Sequence, residues 1–296
     1  MIWTARAARA ARPGDPTGLV NADGPLRAPA DEQPPGPLAA GGRVAAVFDL
    51  DGTILASNLV ESYVWTRLAT LPRRGRPLEL LSLVCDAPRY VLAEHRGRAE
   101  FVHCFLRRYR GTHEDTLRAL VREAVGNALL HRVRPEAVRR IRAHRSAGHR
   151  TVLVTGSLDL LVEPLRPLFD DIVACRMTSR EGIMTGQISS TPVVGDIRGS
   201  WVREYCAGHG LDVTRSYAYA DSSSDRALLE SVGHPCAVNP DRRLRRHASE
   251  RRWPVAHWGV HTTTRWEALA VAASLPHRHH ITTPGGDATD NDKGTP

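Results

Sequence analysis

The chain reads as an α/β protein, with a doubly wound, Rossmann-like parallel sheet and a large helical insertion after the first strand. Three observations carry that reading. Val44 to Phe48 is an unbroken apolar run that ends directly in acids, as a strand buried on both faces would. Thr151 to Thr155 and Ser216 to Ala220 repeat the form, with helical patterns around them. From Asn58 to about Arg145 the apolar spacing is helical throughout, which makes an insertion of four or so helices.

In chain order, the insertion shows Leu59, Tyr63 and Leu68, then the apolar stretch Leu78 to Leu92, then Phe101, Cys104, Phe105 and Tyr109, then Leu117, Leu120, Val121 and Val125. The stretch from Leu78 to Leu92 is broken by Asp86, Pro88 and Arg89 and is too short to span a bilayer, so a buried or half-buried helix is expected. Leu158 to Phe169 reads as the helix after the second strand. Ile172 to Cys175 and Ile183 to Ile188 read as strands around a turn at Glu181-Gly182. Trp201 to Cys206 and Arg226 to Val232 are helical, and Cys236 to Val238 is a further short strand.

Residues 1–42 are rich in Pro, Gly and Ala without periodicity and are expected to be disordered, like Thr282 to Pro296. The expected organisation is a catalytic core over 43–57 and 146–257, a helical insertion over 58–145, and a C-terminal extension over 258–296.

The formal net charge of +8 on 296 residues raises a nucleic-acid partner. All 40 basic residues except Lys293 are arginine, however, and they are spread over many helices. With aromatics at 5% for base stacking and no recognition motif, a solvated helical surface is the better account, and no nucleic-acid or membrane partner is expected. Five cysteines without a C-x-x-C pair suggest reduced thiols in a cytoplasmic protein. His277-Arg278-His279-His280 is read as part of a basic tail. Nothing in the sequence bears on oligomeric state.

The strongest motif is Val47-Phe48-Asp49-Leu50-Asp51-Gly52-Thr53. In an extended chain residues two apart point the same way, about 6.6 Å apart. Two carboxylates so placed can flank a phosphoryl group, one attacking phosphorus while the other handles the leaving group's proton. Gly52 permits a sharp turn, and Thr53 is placed to hydrogen-bond the second acid.

Asp49 to Thr53 resembles the first motif of the haloacid dehalogenase superfamily. Val152 to Ser157, ending in Thr155-Gly156-Ser157, is similar to its second motif, and Ala220-Asp221-Ser222-Ser223-Ser224-Asp225 to its acidic fourth. Val238-Asn239-Pro240-Asp241 resembles a loop of phosphoserine phosphatase relatives, whose cap occupies the same place as the helical insertion. The resemblance implies a phosphomonoesterase that takes a small organic phosphate. Asp49 would become a phosphoaspartate, Asp51 would act as general acid and base, and Thr155, Gly156 and Gly52 would bind phosphate. Mg²⁺ would be held by Asp49, Asp221 and the backbone carbonyl of Asp51, with Thr53, Asp225 and Asn239 in support. The family's third motif supplies a lysine; here Arg198, 23 residues before Asp221, stands at that place and would take its role. Asn58 stands nine residues after the nucleophile, where phosphoserine phosphatases carry an acid; Asn58, Glu61, Arg107 and Arg108 are the candidate substrate contacts from the insertion. Two other readings stay open at this point: phosphoserine phosphatase proper, and a regulatory or binding protein on the same fold.

Overall fold

A computed structural model describes residues 43–125 and 132–259. The expectations for residues 1–42, for Thr282 to Pro296, and for Lys293 and the His277–His280 run lie outside the described residues.

The first strand, β1 (Ala45–Asp49), is wholly buried. It pairs in parallel with β2 (Arg150–Leu158) on one side. On the other side it pairs in parallel with β6 (Tyr217–Ala220). Outside these lie β3 (Asp171–Cys175), β7 (His234–Val238) and β8 (Val255–Ala256), so the six-stranded sheet runs β3-β2-β1-β6-β7-β8. The chain winds outward from β1 through β2 to β3 and later crosses to β6 on the other side of β1, and the crevice beyond the carboxyl end of β1 is where such a sheet binds ligands.

Alternation along β1 sorts the two cores. Ala45 and Val47 share one with Val202 and Cys206 of α7 (Ile197–Gly208), Leu228 and Leu229 of α8 (Arg226–Glu230), and Leu244 and Ala248 of α9 (Arg242–Arg251). Ala46 and Phe48 share the other with Ala137 and Ile141 of α5 (Pro135–Ser146). On that face His144 Nε2 and Arg140 Nε both reach the Tyr219 hydroxyl, at 2.8 and 2.7 Å. Helix α5 therefore packs on the sheet, although its spacing had placed it with the insertion.

Among the described residues four α-helices precede it: α1 (Leu59–Thr70), α2 (Arg76–Arg96), α3 (Arg98–Leu106) and α4 (Glu114–Leu120). Asn58 caps α1 by accepting the Glu61 amide at 3.0 Å. Phe105 is fully buried among the rings of Tyr63, Tyr90 and Phe101. Helix α2 corrects an expectation. It runs through Pro88, and only Tyr90 and Ala93 are buried; Leu78 is 70% and Val84 69% exposed, with Leu81, Val91 and Leu92 above half. Its inward side is polar: Arg108 grips Glu79 at 2.6 Å and Asp86 at 2.7 Å.

Two further differences have local causes. After β2 one helical turn, α6 (Asp159–Val162), gives way to a 3-10 turn over Glu163–Leu168, because Pro164 and Pro167 cannot continue an α-helix. The hairpin partner of β5 (Ile183–Ile188) is β4 (Met177–Arg180), not residues 172–175, which stay in the parallel sheet. Its turn is at Glu181-Gly182 as expected, both in the left-handed region that suits a tight hairpin. Main-chain bonds from Gly111 to Met184, Met184 to Thr112 and Glu114 to Gly182 dock the hairpin on the inserted helices.

The contrast between Phe105 and the outer face of α2 is measurable. Phe105→Ala should cost about 3–5 kcal/mol of unfolding free energy. Leu78→Gln should stay within about 0.5 kcal/mol. Denaturant titration of both variants checks the pair; a large loss for Leu78→Gln would place that face in a packed environment.

Candidate active site

The carboxyl ends of β1, β2 and β6 deliver Asp49, Gly156 and Asp221 to one cavity of about 510 Å³. Its wall also includes Asp51, Gly52, Asn58, Arg198 and Asp225, so eight of the sequence-derived site residues meet there. Two glycines make the closeness possible. Gly52 turns with φ +81°, and a Cβ on it would sit 2.0 Å from Asp221 Oδ2. A Cβ on Gly156 would crowd Val194 and Val102.

Asp49 is 5% exposed and Arg198 3%. Arg198 enters from the first turn of α7. Its Nη1 donates to Asp49 Oδ1 at 2.8 Å and also to Asp225 Oδ1. Nε donates to the Val193 carbonyl at 3.1 Å and Nη2 to the Val154 carbonyl at 3.3 Å. The guanidinium is thus fixed on four sides, which a surface arginine is not. The other oxygen of Asp225 accepts from the Ser222 hydroxyl at 2.8 Å.

One carboxylate oxygen from each of Asp49, Asp221 and Asp225 lies within 4.8 Å of the others, so the three can hold a divalent metal ion. The donors are hard oxygens, as Mg²⁺ prefers. Electrostatics point the same way. Burial, then the charges of Asp49 and Asp225, push Asp221 up to about 8. Burial, then Asp49, pushes Asp51 up to about 7. Burial also raises Asp49, to about 6, with the Arg198 charge opposing it. A site so short of positive charge suits a cation. The carboxylate cluster takes in Asp225, expected only in support, and not the Asp51 side chain.

Other expected residues are elsewhere. Thr53 is buried, but its hydroxyl has no partner; Asp51 Oδ2 instead accepts from the Ser157 hydroxyl at 3.3 Å. The Thr53–Asp51 bond is therefore corrected, because the turn at Gly52 carries Thr53 away into the core. Thr155 is buried off the cavity wall, where its hydroxyl accepts the Ser157 amide at 3.0 Å. Asn239, with φ 44°, holds the Trp258 backbone through its side-chain amide and does not line the cavity. Glu61 lies 3.5 Å from Arg132, Arg107 is exposed in a 3-10 turn, and Arg108 is bound to Glu79 and Asp86; none lines the cavity.

From the inserted helices the wall takes Leu59, Glu94, Arg98 and Val102 instead. Sequence reasoning missed these, since nothing marks Arg98 among so many arginines. Ser157 and Asp241 were inside motifs already quoted, so their signal was present.

Known proteins bear on this geometry. The family model for haloacid dehalogenase-like hydrolases matches residues 46–230, from the first strand to beyond the last acidic loop. The chain belongs to that family. It is a hydrolase of that family, with Asp49, Asp221 and Asp225 gathered in one cluster. It is 33% identical over 246 residues to the "Inhibition of morphological differentiation protein" of Streptomyces azureus, spanning 80% of this chain and 85% of that one. It is 31% identical over 264 residues to a probable phosphatase of Mycobacterium tuberculosis, spanning 86% and 90%. A solved Bordetella pertussis protein of unknown function is similar at 28% identity and a TM-score of 0.62, over 73% of this chain and 99% of that one.

The raised carboxyls give a test of the family's acidic cluster. Asp221 and Asp51 titrate above their ordinary value, so their contribution to stability is present below about pH 4 and is lost as pH rises through 7 and 8. Metal-free protein should therefore gain stability from Asp221→Asn at pH 8 and little at pH 4, and Mg²⁺ should raise the parent's Tm more at pH 8 than at pH 5. Scanning fluorimetry across that range in EDTA and in Mg²⁺ reads both effects; equal shifts at the two ends would contradict the charge account.

Proposed function

We propose that the chain hydrolyses small phosphate monoesters by a two-step displacement with Asp49 as nucleophile. The observation that carries this is the pairing of a buried Asp49 with a fixed Arg198, two residues before an Asp51 held near neutrality. Arg198 keeps Asp49 ionised and orients it, leaving Oδ2 for attack on phosphorus. As the ester P–O bond breaks, Asp51 gives its proton to the departing oxygen; a value near 7 suits a group that must hold a proton and release it. In the second step Asp51 takes the proton of a water that attacks phosphorus, the bond to Asp49 breaks, and inorganic phosphate leaves.

Ser157 holds Asp51 in place by its hydroxyl, and Thr155 holds Ser157 by accepting its amide. Mg²⁺ is the cation proposed for Asp49 and Asp221, with Asp225 beside them, and when bound it would neutralise charge on the phosphoryl oxygens. The cavity of about 510 Å³ suits a metabolite rather than a protein substrate. Asn58, Glu94 and Arg98 line it from the inserted region and would contact the leaving group. Asn58 stands where a phosphoserine phosphatase would carry an acid, which argues against dedicated phosphoserine chemistry.

With an aryl phosphate and Mg²⁺, Asp49→Asn should abolish turnover and keep the fold, and EDTA should silence the parent reversibly. More than a few per cent of activity in Asp49→Asn would remove Asp49 from its role.

Arg198→Ala should lower kcat by about a hundredfold or more, the usual loss for one group that stabilises developing charge. Arg198→Lys should keep more activity, because an ammonium restores the charge beside Asp49 while giving up the bonds to Val193 and Val154. Steady-state kinetics on the three proteins decides; a fully active Arg198→Ala would mean another group supplies the cation.

A further inference from the structure

The cavity wall contains one more arginine, Arg134, which lies just before α5 and outside every motif. Its Nη2 donates to the Gly52 carbonyl at 3.2 Å and its Nη1 to the Trp258 carbonyl at 2.6 Å. Trp258 is tied in turn. Its N–H donates to Asn239 Oδ1 and its carbonyl accepts from Asn239 Nδ2, both at 3.1 Å. Two residues on, the Asp241 amide donates to the Asp221 carbonyl at 2.8 Å, and Asp241 Oδ2 accepts the Ser223 amide at 2.7 Å. Asp221 comes back against Gly52, with no room between them for a methyl group.

These links close a ring: Gly52, Arg134, Trp258, Asn239, Asp241, Asp221 and Gly52 again. The two loops that carry the catalytic pair and the metal-binding acid belong to neighbouring strands, β1 and β6, yet past the strand ends no main-chain hydrogen bond among the described residues joins them to fix their spacing. We propose that Arg134 is a positioning residue that sets this spacing, by clamping the Asp51-Gly52 turn to the Asn239-held Trp258 peptide. The proposal rests on the functional reading above for what the loops do, and it gives Asn239 a part in the site that it does not touch.

The clamp suits arginine. Two carbonyls on different segments must be met at once, and the planar fork offers separate N–H groups to each, where an ammonium is a single point. The positive charge also faces Asp221 across the turn, although burial works against it. A purely structural brace would act on stability alone. A brace that sets the distance between carboxylates acts on metal affinity and on kcat, because supporting contacts of a metal site typically change either by about 10–100-fold.

The test uses the full chain and three variants: Arg134→Met, Arg134→Lys and Asn239→Gly. Glycine keeps the left-handed φ of Asn239 while removing the amide. Two readouts are taken, the Mg²⁺ concentration at half-maximal thermal shift without substrate, and kcat and KM on an aryl phosphate. Arg134→Met should raise the Mg²⁺ midpoint and lower kcat by about tenfold or more, with KM little changed. Arg134→Lys should recover part of both, and Asn239→Gly should move both in the same direction by less. Parent-like Mg²⁺ midpoints in Arg134→Met and Asn239→Gly would overturn the proposal, as would a loss of Tm in either with no change in the midpoint. If Arg134→Met does not fold, Asn239→Gly alone decides by the same midpoint. A parent that binds Mg²⁺ but turns over no phosphate ester would sink the proposed function and leave the midpoint comparison standing.

Discussion

The buried contact of Arg198 with Asp49 and Asp225 is the constraint on which the rest depends. Three carboxylates within 4.8 Å of one another, at the end of a central strand, repel one another in a medium that screens poorly. Without a cation the cheapest outcome is protonation, which the raised positions of Asp49 and Asp221 already display. A carboxylic acid is a poor nucleophile, so for the proposed attack the site must keep at least Asp49 charged. Arg198 does so from inside the protein, independently of any metal. Its own burial is tolerable because every side of the guanidinium has an acceptor, two of them the backbone carbonyls of Val154 in β2 and Val193 before α7. Removing one partner would leave an uncompensated buried charge, which is costly. That reciprocity makes the pair hard to lose once present.

This also gives a physical reason why arginine can serve where the resemblance implies a lysine. An ammonium on a flexible stem reaches the nucleophile as a point. The guanidinium is larger, and here its extra N–H groups are absorbed by Val154 and Val193 rather than directed at the phosphate. The positive charge is thereby retained in one orientation, with Nη1 shared between two acids. The chain's heavy use of arginine, 39 of its 40 basic residues, hid this position among surface arginines; its place after Gly195-Asp196-Ile197 and its distance from Asp221 set it apart.

What could be read in advance followed from whether a signal was local. The strand β1 was legible because a run buried on both faces has no polar interruption, and the acids follow it without a spacer. Arg198 was legible by spacing. The partner of Asp51 was not: it depends on whether the chain after Gly52 turns Thr53 inward, and on β2 extending to bring Ser157 across, a contact 106 residues away in sequence. The hairpin was assigned to the wrong strand because β3 and β4 are separated by one residue, and only tertiary pairing tells where the sheet strand stops. For α2, apolar spacing announced a helix but not which side would be covered. The polar grip of Arg108 on Glu79 and Asp86 turns the apolar positions outward, and that grip joins residues up to 29 apart.

The cavity wall shows the same division at the level of function. Its floor is made of strand ends, where the chemistry is bound to specific residue types and so to recognisable motifs. Besides Asn58, its roof is made of Leu59, Glu94, Arg98 and Val102, ordinary residues on helices whose only distinction is where they face. A reaction needs fixed groups at fixed spacing, whereas a substrate's remainder needs only complementarity, which many side chains can provide. On the proposed function, chemistry is therefore written in the floor and selectivity in the roof. Glu94 and Arg98 form an i,i+4 ion pair of 3.1 Å there, partly open to solvent and worth little to stability. Arg98 also lies over the Phe101 ring at 5.0 Å, so both charges are held at the cavity's edge, where a ligand can meet them. A leaving group that carries a charge of either sign would find a partner without disturbing the site below.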